Sequence, residues 1–163
     1  MNNRLEGSSL TGVGIDLGTR YAALVVIEGH TVKYGRLLRN PSLQELWDEL
    51  DSIIQKFKLD YVSCEKPYYH KNVRSAFMLY EQLGVIKLFC QTKNINLVTL
   101  SPSTIKKIIS GKGNASKGKI SQLTKLRLHD PNNIFEIESF DLTDAASIAL
   151  AASIQKYKLR FYS

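Results

Sequence analysis

The chain has 163 residues, 44 % hydrophobic and 23 % charged, and its 22 Lys and Arg outnumber 15 Asp and Glu for a formal net charge of +7. This is the make-up of a single globular domain and excludes a disordered or fibrous chain; no apolar run approaches the roughly 18 residues of a membrane-spanning helix, and no signal peptide is expected. The two cysteines, Cys64 and Cys90, form neither a CxxC motif nor a His/Cys cluster, which argues against a zinc site or a disulfide framework and makes the reducing cytoplasm the expected compartment.

Residues 12–17 (GVGIDL) and 21–28 (YAALVVIE) read as apolar strands joined by a turn at Gly18-Thr19-Arg20. Residues 31–38 (TVKYGRLL) alternate as a third strand after a tight turn at Gly29-His30, so an antiparallel meander is predicted. Asn40-Pro41-Ser42 marks a break and a helix start, and Leu43, Leu46, Trp47, Leu50, Ile53, Ile54 and Phe57 follow at helical spacing. Tyr61 to Glu65 is a short strand stopped by Lys66-Pro67. Residues 72–93 predict a long helix with Ala76, Leu79, Tyr80, Leu83, Ile86, Lys87 and Cys90 near one face. Another strand spans 96–100, and Ser101-Pro102-Ser103 opens a helix over 104–109, with proline at a tolerated early position.

Residues 110–119 (SGKGNASKGK) read as a mobile basic loop, followed by a helix to about Leu128 and a turn at 130–133. The last helix, from about Asp141 to Lys156, is rich in alanine, which allows close packing on a sheet. The order β-β-β-α-β-α-β-α-α-α, without repeats or a linker, predicts an α/β domain with a mixed sheet between helices. Residues 1–11 are expected to be a flexible lead-in.

The charge is unevenly placed. From Gln82 to His129 there is no Asp or Glu, while the stretch carries Lys87, Lys93, Lys106, Lys107, Lys112, Lys117, Lys119, Lys125 and Arg127. A solvated basic face explains the charge; a face that binds a polyanion, most often nucleic acid, also explains its concentration.

Asp16 and Glu65 each end a predicted strand, and Asp141 and Asp144 share one face of the last helix. Singly, these acids have ordinary readings: a turn former at Asp16, a surface strand end at Glu65, and first-turn acids suited to a helix dipole at Asp141 and Asp144. Together they would repel one another unless a cation sat among them. Hard divalent ions take oxygen ligands of this kind, and two Mg²⁺ roughly 3.5–4 Å apart can clamp the attacking and leaving oxygens of a phosphodiester. Glu136 and Glu138 are further acids that spacing alone does not exclude.

The segments GIDLGTRYAALVVIEG, CEKPYYHKNVRSA and FDLTDAASIALAAS resemble the three acidic motifs of RuvC-type Holliday junction resolvases, over about residues 12–155. These are nucleases of the ribonuclease-H-like superfamily of similar length, and the chain most resembles the short RuvC-like branched-DNA nucleases of phages. The resemblance implies an α/β ribonuclease-H-like fold with a central mixed five-stranded sheet flanked by helices on both faces, and one nuclease domain over residues 1–163. It also implies a homodimer that nicks two opposed strands of a four-way DNA junction with Mg²⁺ or Mn²⁺, leaving 5′-phosphate and 3′-hydroxyl ends. By motif matching, Asp16, Glu65, Asp141 and Asp144 take the places of the four metal-binding acids. Tyr68 falls where the family has an aromatic that stacks on junction bases. Lys106 and Lys117 match lysines that contact DNA or the scissile region, which makes Lys117 a candidate catalytic group; Lys107, Lys112 and Lys119 extend the DNA-binding set. The helix over 72–93 resembles the family's dimer helix.

Two departures bear on specificity. Leu142-Thr143 stands where bacterial members have an Ala pair, and CEKP replaces the usual residues after the second acid. A broader branched-DNA endonuclease is therefore an alternative expectation. A non-catalytic junction-binding module is another, but it leaves unexplained why acids lie where phosphate must approach. VGIDLGT also resembles the first phosphate loop of actin-like ATPases, which need a second such domain and a second glycine-rich motif. GNASKGKI, residues 113–120, departs from the Walker A pattern at Ile120, where a hydroxyl is required, and follows a predicted helix instead of a strand. No nucleotide cofactor is expected.

Overall fold

A computed structural model describes residues 9–68, 72–137 and 139–157, the side chains of 137, 139, 140 and 157 excepted. Most of the expected flexible lead-in and Glu138 lie outside these residues. Ser9 to Thr11 are already tied into the fold: Leu10 accepts a backbone hydrogen bond from Gly29, and Thr11 begins the first strand.

Five strands, β1 (Thr11–Leu17), β2 (Tyr21–Glu28), β3 (Thr31–Arg39), β4 (Tyr61–Glu65) and β5 (Asn96–Leu100), form one sheet in the order β3-β2-β1-β4-β5. The β1–β2 and β2–β3 pairs are antiparallel, as the short turns between them require, whereas β1–β4 and β4–β5 are parallel and need helical crossovers. The helices are α1 (Leu43–Lys56), α2 (Val73–Lys93), α3 (Pro102–Ser110), α4 (Lys117–Arg127), α5 (Ile134–Ile137) and α6 (Ser139–Tyr157). Because β2 is covered on both faces, its apolar run is nearly continuous. Ala23, Val25 and Ile27 pack in the core under α3 to α6, while Ala22, Leu24 and Val26 pack with Ile15 under α1 and α2.

The expected break before the first helix is a capping box: Glu45 N donates to Ser42 Oγ at 3.1 Å, and Ser42 N donates to Glu45 Oε2 at 2.7 Å. Three expectations need correction. The segment 110–119 is only partly a loop. Ser110 still belongs to α3, Gly111 closes that helix in a left-handed conformation, and Ser116 caps α4 so that Lys117 and Lys119 stand on its first turn. A short extra helix, α5, precedes the last one. On α2, Tyr80 and Lys87 are exposed, each roughly 100° round the helix from the centre of the buried face formed by Ala76, Gln82, Leu83, Ile86, Phe89 and Cys90. Phe89 is buried instead, edge-on to Trp47 with ring centroids 5.0 Å apart.

The placement of α6 decides the position of the site. A Cβ on Gly14 would run into the carbonyl oxygen of Ala145, so only glycine lets α6 lie directly on β1. Ala145, Ala146, Ala149 and Ala152 are buried along the helix, and the Tyr61 hydroxyl donates to the Ala149 carbonyl at 2.9 Å. Leu142 is buried over Gly35 beside Ile134.

Candidate active site

β1 and β4 are parallel neighbours, with Ile15 opposite Cys64. The residues that follow, Asp16 and Glu65, therefore emerge side by side at the C-terminal ends of these two inner strands. α6 crosses β1 over Gly14 and brings in acids from its first turns. Carboxylate oxygens of Asp16, Asp141 and Asp144 all lie within 4.8 Å of one another. Glu65 is outside that triple but shares two cavities with Asp16. Of the spare acids, Glu136 is exposed on α5 and is not in the cluster.

Burial, and then crowding, make Asp16, Glu65 and Asp144 resist ionisation. The Asp16 carboxyl is pushed up to about 7, first by burial, then by Asp144 and Glu65, against a weaker opposing pull from Lys117. Burial raises Glu65, with Asp144 adding to the rise and Lys106 opposing it. Burial raises Asp144 as well, although Lys117 works against it through a hydrogen bond and its charge. Lys117 Nζ lies 2.7 Å from Asp144 Oδ2, and this bond holds the ammonium above its ordinary value.

Two cavities meet at the acids. One, of about 330 Å³, is lined by Asp16, Glu65, Lys106, Lys117 and Asp144, so acids and lysines face each other across it. The other, of about 470 Å³, is mostly apolar and has Tyr68, 66 % exposed, at its mouth. Lys107, Lys112 and Lys119 are exposed and line neither of these cavities.

Sequence reasoning missed Gln82. It is 5 % exposed on α2, and its Nε2 donates to the Gly18 carbonyl at 3.1 Å, anchoring the turn that follows Asp16. The available signal was a polar residue beside Leu83 on the buried line of the helix. Lys66 was also unassigned; its backbone N–H donates to the Leu100 carbonyl at 2.8 Å, which fixes the chain just after Glu65.

A cluster of half-buried carboxylates faced by lysines suits cation-assisted chemistry on a phosphate; among the described residues nothing lining these cavities pairs a nucleophile with a base. The sequence matches the family described as crossover junction endodeoxyribonuclease RuvC over residues 6–152. The chain belongs to the RuvC family. RuvC of Chloroherpeton thalassium is 31 % identical over 145 residues, covering 88 % of this chain and 76 % of that one. RuvC of Caldicellulosiruptor saccharolyticus is 32 % identical over 151 residues, covering 88 % of this chain and 86 % of that one. The fold matches that of Thermus thermophilus RuvC with a TM-score of 0.80 at 16 % identity, covering 91 % of this chain and 96 % of that chain. The same protein in complex with a Holliday junction substrate matches with a TM-score of 0.79 at 17 % identity. The five-stranded mixed sheet with helices on both faces is thus a RuvC, ribonuclease-H-like fold. Among the described residues no helix is long and apolar enough to cross a membrane.

Proposed function

We propose that this RuvC-family chain resolves Holliday junctions, as a divalent-metal-dependent endodeoxyribonuclease that makes paired nicks with 5′-phosphate and 3′-hydroxyl ends. The observation that carries this reading is the convergence of Asp16, Asp141 and Asp144 within 4.8 Å, beside Glu65 and a lysine-lined cavity. The donors are all carboxylate oxygens, the set that Mg²⁺ and Mn²⁺ prefer. They also fit a cation electrostatically, because burial and then the charges of Asp144 and Glu65 raise the Asp16 carboxyl to about 7, a cost that a cation would offset. Asp16 and Glu65 would hold one ion, and Asp16 with Asp144 and Asp141 a second. Bound there, such ions would supply an acidified water and positive charge opposite the departing oxygen.

The protein's own groups do the rest. Lys106 and Lys117 face the acids and attract the scissile phosphate; Lys117 offsets charge that grows on it as the bond breaks. Lys107, Lys112 and Lys119 extend the positive surface, so affinity should fall steeply with salt. The exposed ring of Tyr68 is suited to stacking on a base at the branch point. Paired cuts need two sites, and α2 offers the surface for a homodimer. Val73, Phe77, Tyr80 and Leu88 form an exposed apolar stripe along it, with Phe77 66 % and Leu88 57 % exposed. The cytoplasm fits this reading, since Cys64 and Cys90 are free thiols.

The test is cleavage of end-labelled four-way junction, three-way fork and linear duplex in Mg²⁺, Mn²⁺ or EDTA, with Asp16→Asn alongside. Symmetric metal-dependent nicks in the junction alone are expected, abolished in the variant. Equal cutting of junction and fork would broaden the substrate to branched DNA in general. Tight binding without cleavage in any metal would overturn the nuclease reading.

A further inference from the structure

β1 and β4 pair only as far as Ile15 and Cys64. Beyond that point each strand follows its outer neighbour: Asp16 stands opposite Ala23 on β2, and Glu65 opposite Leu100 on β5. The β1–β4 ladder thus ends one residue short of both acids and does not set the distance between them. We propose that α2 sets it: Gln82 and Tyr80 are positioning residues that fix the chain just past each strand acid and hold Asp16 and Glu65 at the separation a shared divalent cation needs. The inference rests on the metal-binding reading of the acids.

The two contacts are matched. Gln82 Nε2 donates to the Gly18 carbonyl at 3.1 Å, and the Tyr80 hydroxyl donates to the Pro67 carbonyl at 3.3 Å. Gly18 lies two residues past Asp16, and Pro67 two residues past Glu65. Gln82 and Tyr80 are themselves two residues apart, so their side chains leave the helix in directions roughly 200° apart. One turn of α2 therefore reaches the ends of both strands. Leu79, on the same turn, lines a cavity together with Asp16, Leu17, Glu65 and Pro67, which places the helix over the gap between the strand ends. Backbone bonds on either side pull the other way. Asn40 N donates to the Arg20 carbonyl at 2.6 Å and Lys66 N to the Leu100 carbonyl at 2.8 Å, tying the two segments to β3 and β5.

Stability does not account for Gln82. Its Oε1 is buried without a hydrogen-bond partner among the described residues. A buried amide satisfied on one side only is worse for folding than an apolar side chain of the same shape. The Gly18 carbonyl belongs to a half-buried residue, which water can reach if the amide is removed. What Gln82 adds is the place of the turn after Asp16. Tyr80 is half exposed, and its hydroxyl adds the place of the segment after Glu65. Groups that orient a metal's ligands affect its binding nearly as much as the ligands do.

The experiment combines Gln82→Met, which keeps the length of the side chain and removes its donor, with Tyr80→Phe, which removes only the hydroxyl. In EDTA the double variant should melt within about 2 °C of wild type. Mn²⁺ titrated by calorimetry should bind it about ten-fold more weakly, the scale of losing groups that hold a metal's ligands in place. In junction cleavage the Mn²⁺ concentration for half-maximal rate should rise by a similar factor, while the rate at saturating Mn²⁺ stays within about three-fold, the split expected when binding alone is lost. Tyr34→Phe, which removes a hydrogen bond to Glu49 on α1, is the control and should bind Mn²⁺ as wild type does. If the double variant binds Mn²⁺ as tightly as wild type, the positioning inference fails and the metal reading stands. Should the double variant not fold, Tyr80→Phe alone decides by the same comparison. If wild-type protein binds no Mn²⁺, the metal reading falls, and amide exchange in EDTA decides whether α2 holds the strand ends. The Asn40 and Lys66 amides should then exchange about ten-fold faster in the variant, as local opening becomes easier; unchanged exchange would overturn the role of Gln82 and Tyr80.

Discussion

Lys117 Nζ sits 2.7 Å from Asp144 Oδ2, joining the first turn of α4 to the N-terminal part of α6 across the acid cluster. The lysine side chain is 62 % exposed, so the pair contributes little to stability. Its importance is electrostatic, because Lys117 opposes the upward shifts of both Asp144 and Asp16.

Lys117→Ala should therefore leave the melting temperature nearly unchanged yet slow cleavage by about 10²-fold, the scale of removing one preorganised stabilising group. With its opposing charge gone, Asp16 and Asp144 rise further, so the activity profile should also move to higher pH. Single-turnover nicking rates measured from pH 6 to 9 would check both effects. An unchanged rate would remove Lys117 from the site.

Asp16 gives a prediction about stability. Its folded-state carboxyl is raised from 3.8 to about 7, so between these values the folded protein holds a proton that the unfolded chain has released. Its contribution to stability is full below about 3.8 and is lost as pH rises through about 7. In EDTA at pH 8, Asp16→Asn should accordingly melt higher than wild type, by about 2 °C or more. Excess Mg²⁺ or Mn²⁺ should raise the wild type and leave the variant nearly unmoved, since ligand that binds only the folded state stabilises it. Differential scanning calorimetry with and without metal reads both effects. A variant that melts lower in EDTA would mean that ionised Asp16 is not under strain.

The sheet was largely legible in the sequence because its strands are apolar runs bounded by turn residues. GVGIDL and YVSCE correspond to the observed β1 and β4 within a residue. The strand-end position of Asp16 and Glu65 was legible for the same reason, and Asp141 and Asp144 were readable as one helix face. Their convergence was not, because it depends on Gly14 admitting α6, a contact far apart in sequence. The start of α4 was obscured by Gly and Lys on either side of its cap, Ser116. On α2 the expected inner face went astray at Tyr80 because both sides of the helix are apolar, so periodicity pointed two ways.

That two-sidedness can be tested directly. Phe77→Glu with Leu88→Glu places charges on the exposed stripe of α2 and leaves the buried Leu83, Ile86 and Phe89 untouched. The double variant should keep its circular dichroism spectrum and melting behaviour as a monomer, and should sediment as one at micromolar concentration, where the proposed function expects a wild-type dimer. Junction cleavage should change from paired to single nicks. A wild-type chain that sediments as a monomer even with junction present would remove the dimer from the mechanism.

Gly14 offers the sharpest test of how packing builds the site. A Cβ there meets backbone on α6: the Ala145 carbonyl oxygen first and Ala149 N at 2.7 Å, groups that cannot swing away like the end of a side chain. Gly14→Ala must therefore push the helix off β1 or strain it, at a cost of about 1–3 kcal/mol. Gly118→Ala, where an added Cβ meets nothing within 4 Å, is the control and should be neutral or slightly stabilising. The displacement also carries Asp141 and Asp144 away from Asp16. In Gly14→Ala the stabilisation by Mg²⁺ should shrink even at temperatures where the variant is fully folded, and cleavage should fall with it. Metal titrations followed by calorimetry separate this from simple loss of stability. If Gly14→Ala melted lower but kept the full metal-dependent shift, the distance between β1 and α6 would not control the cluster, and Asp16 with Glu65 would suffice to hold the ion.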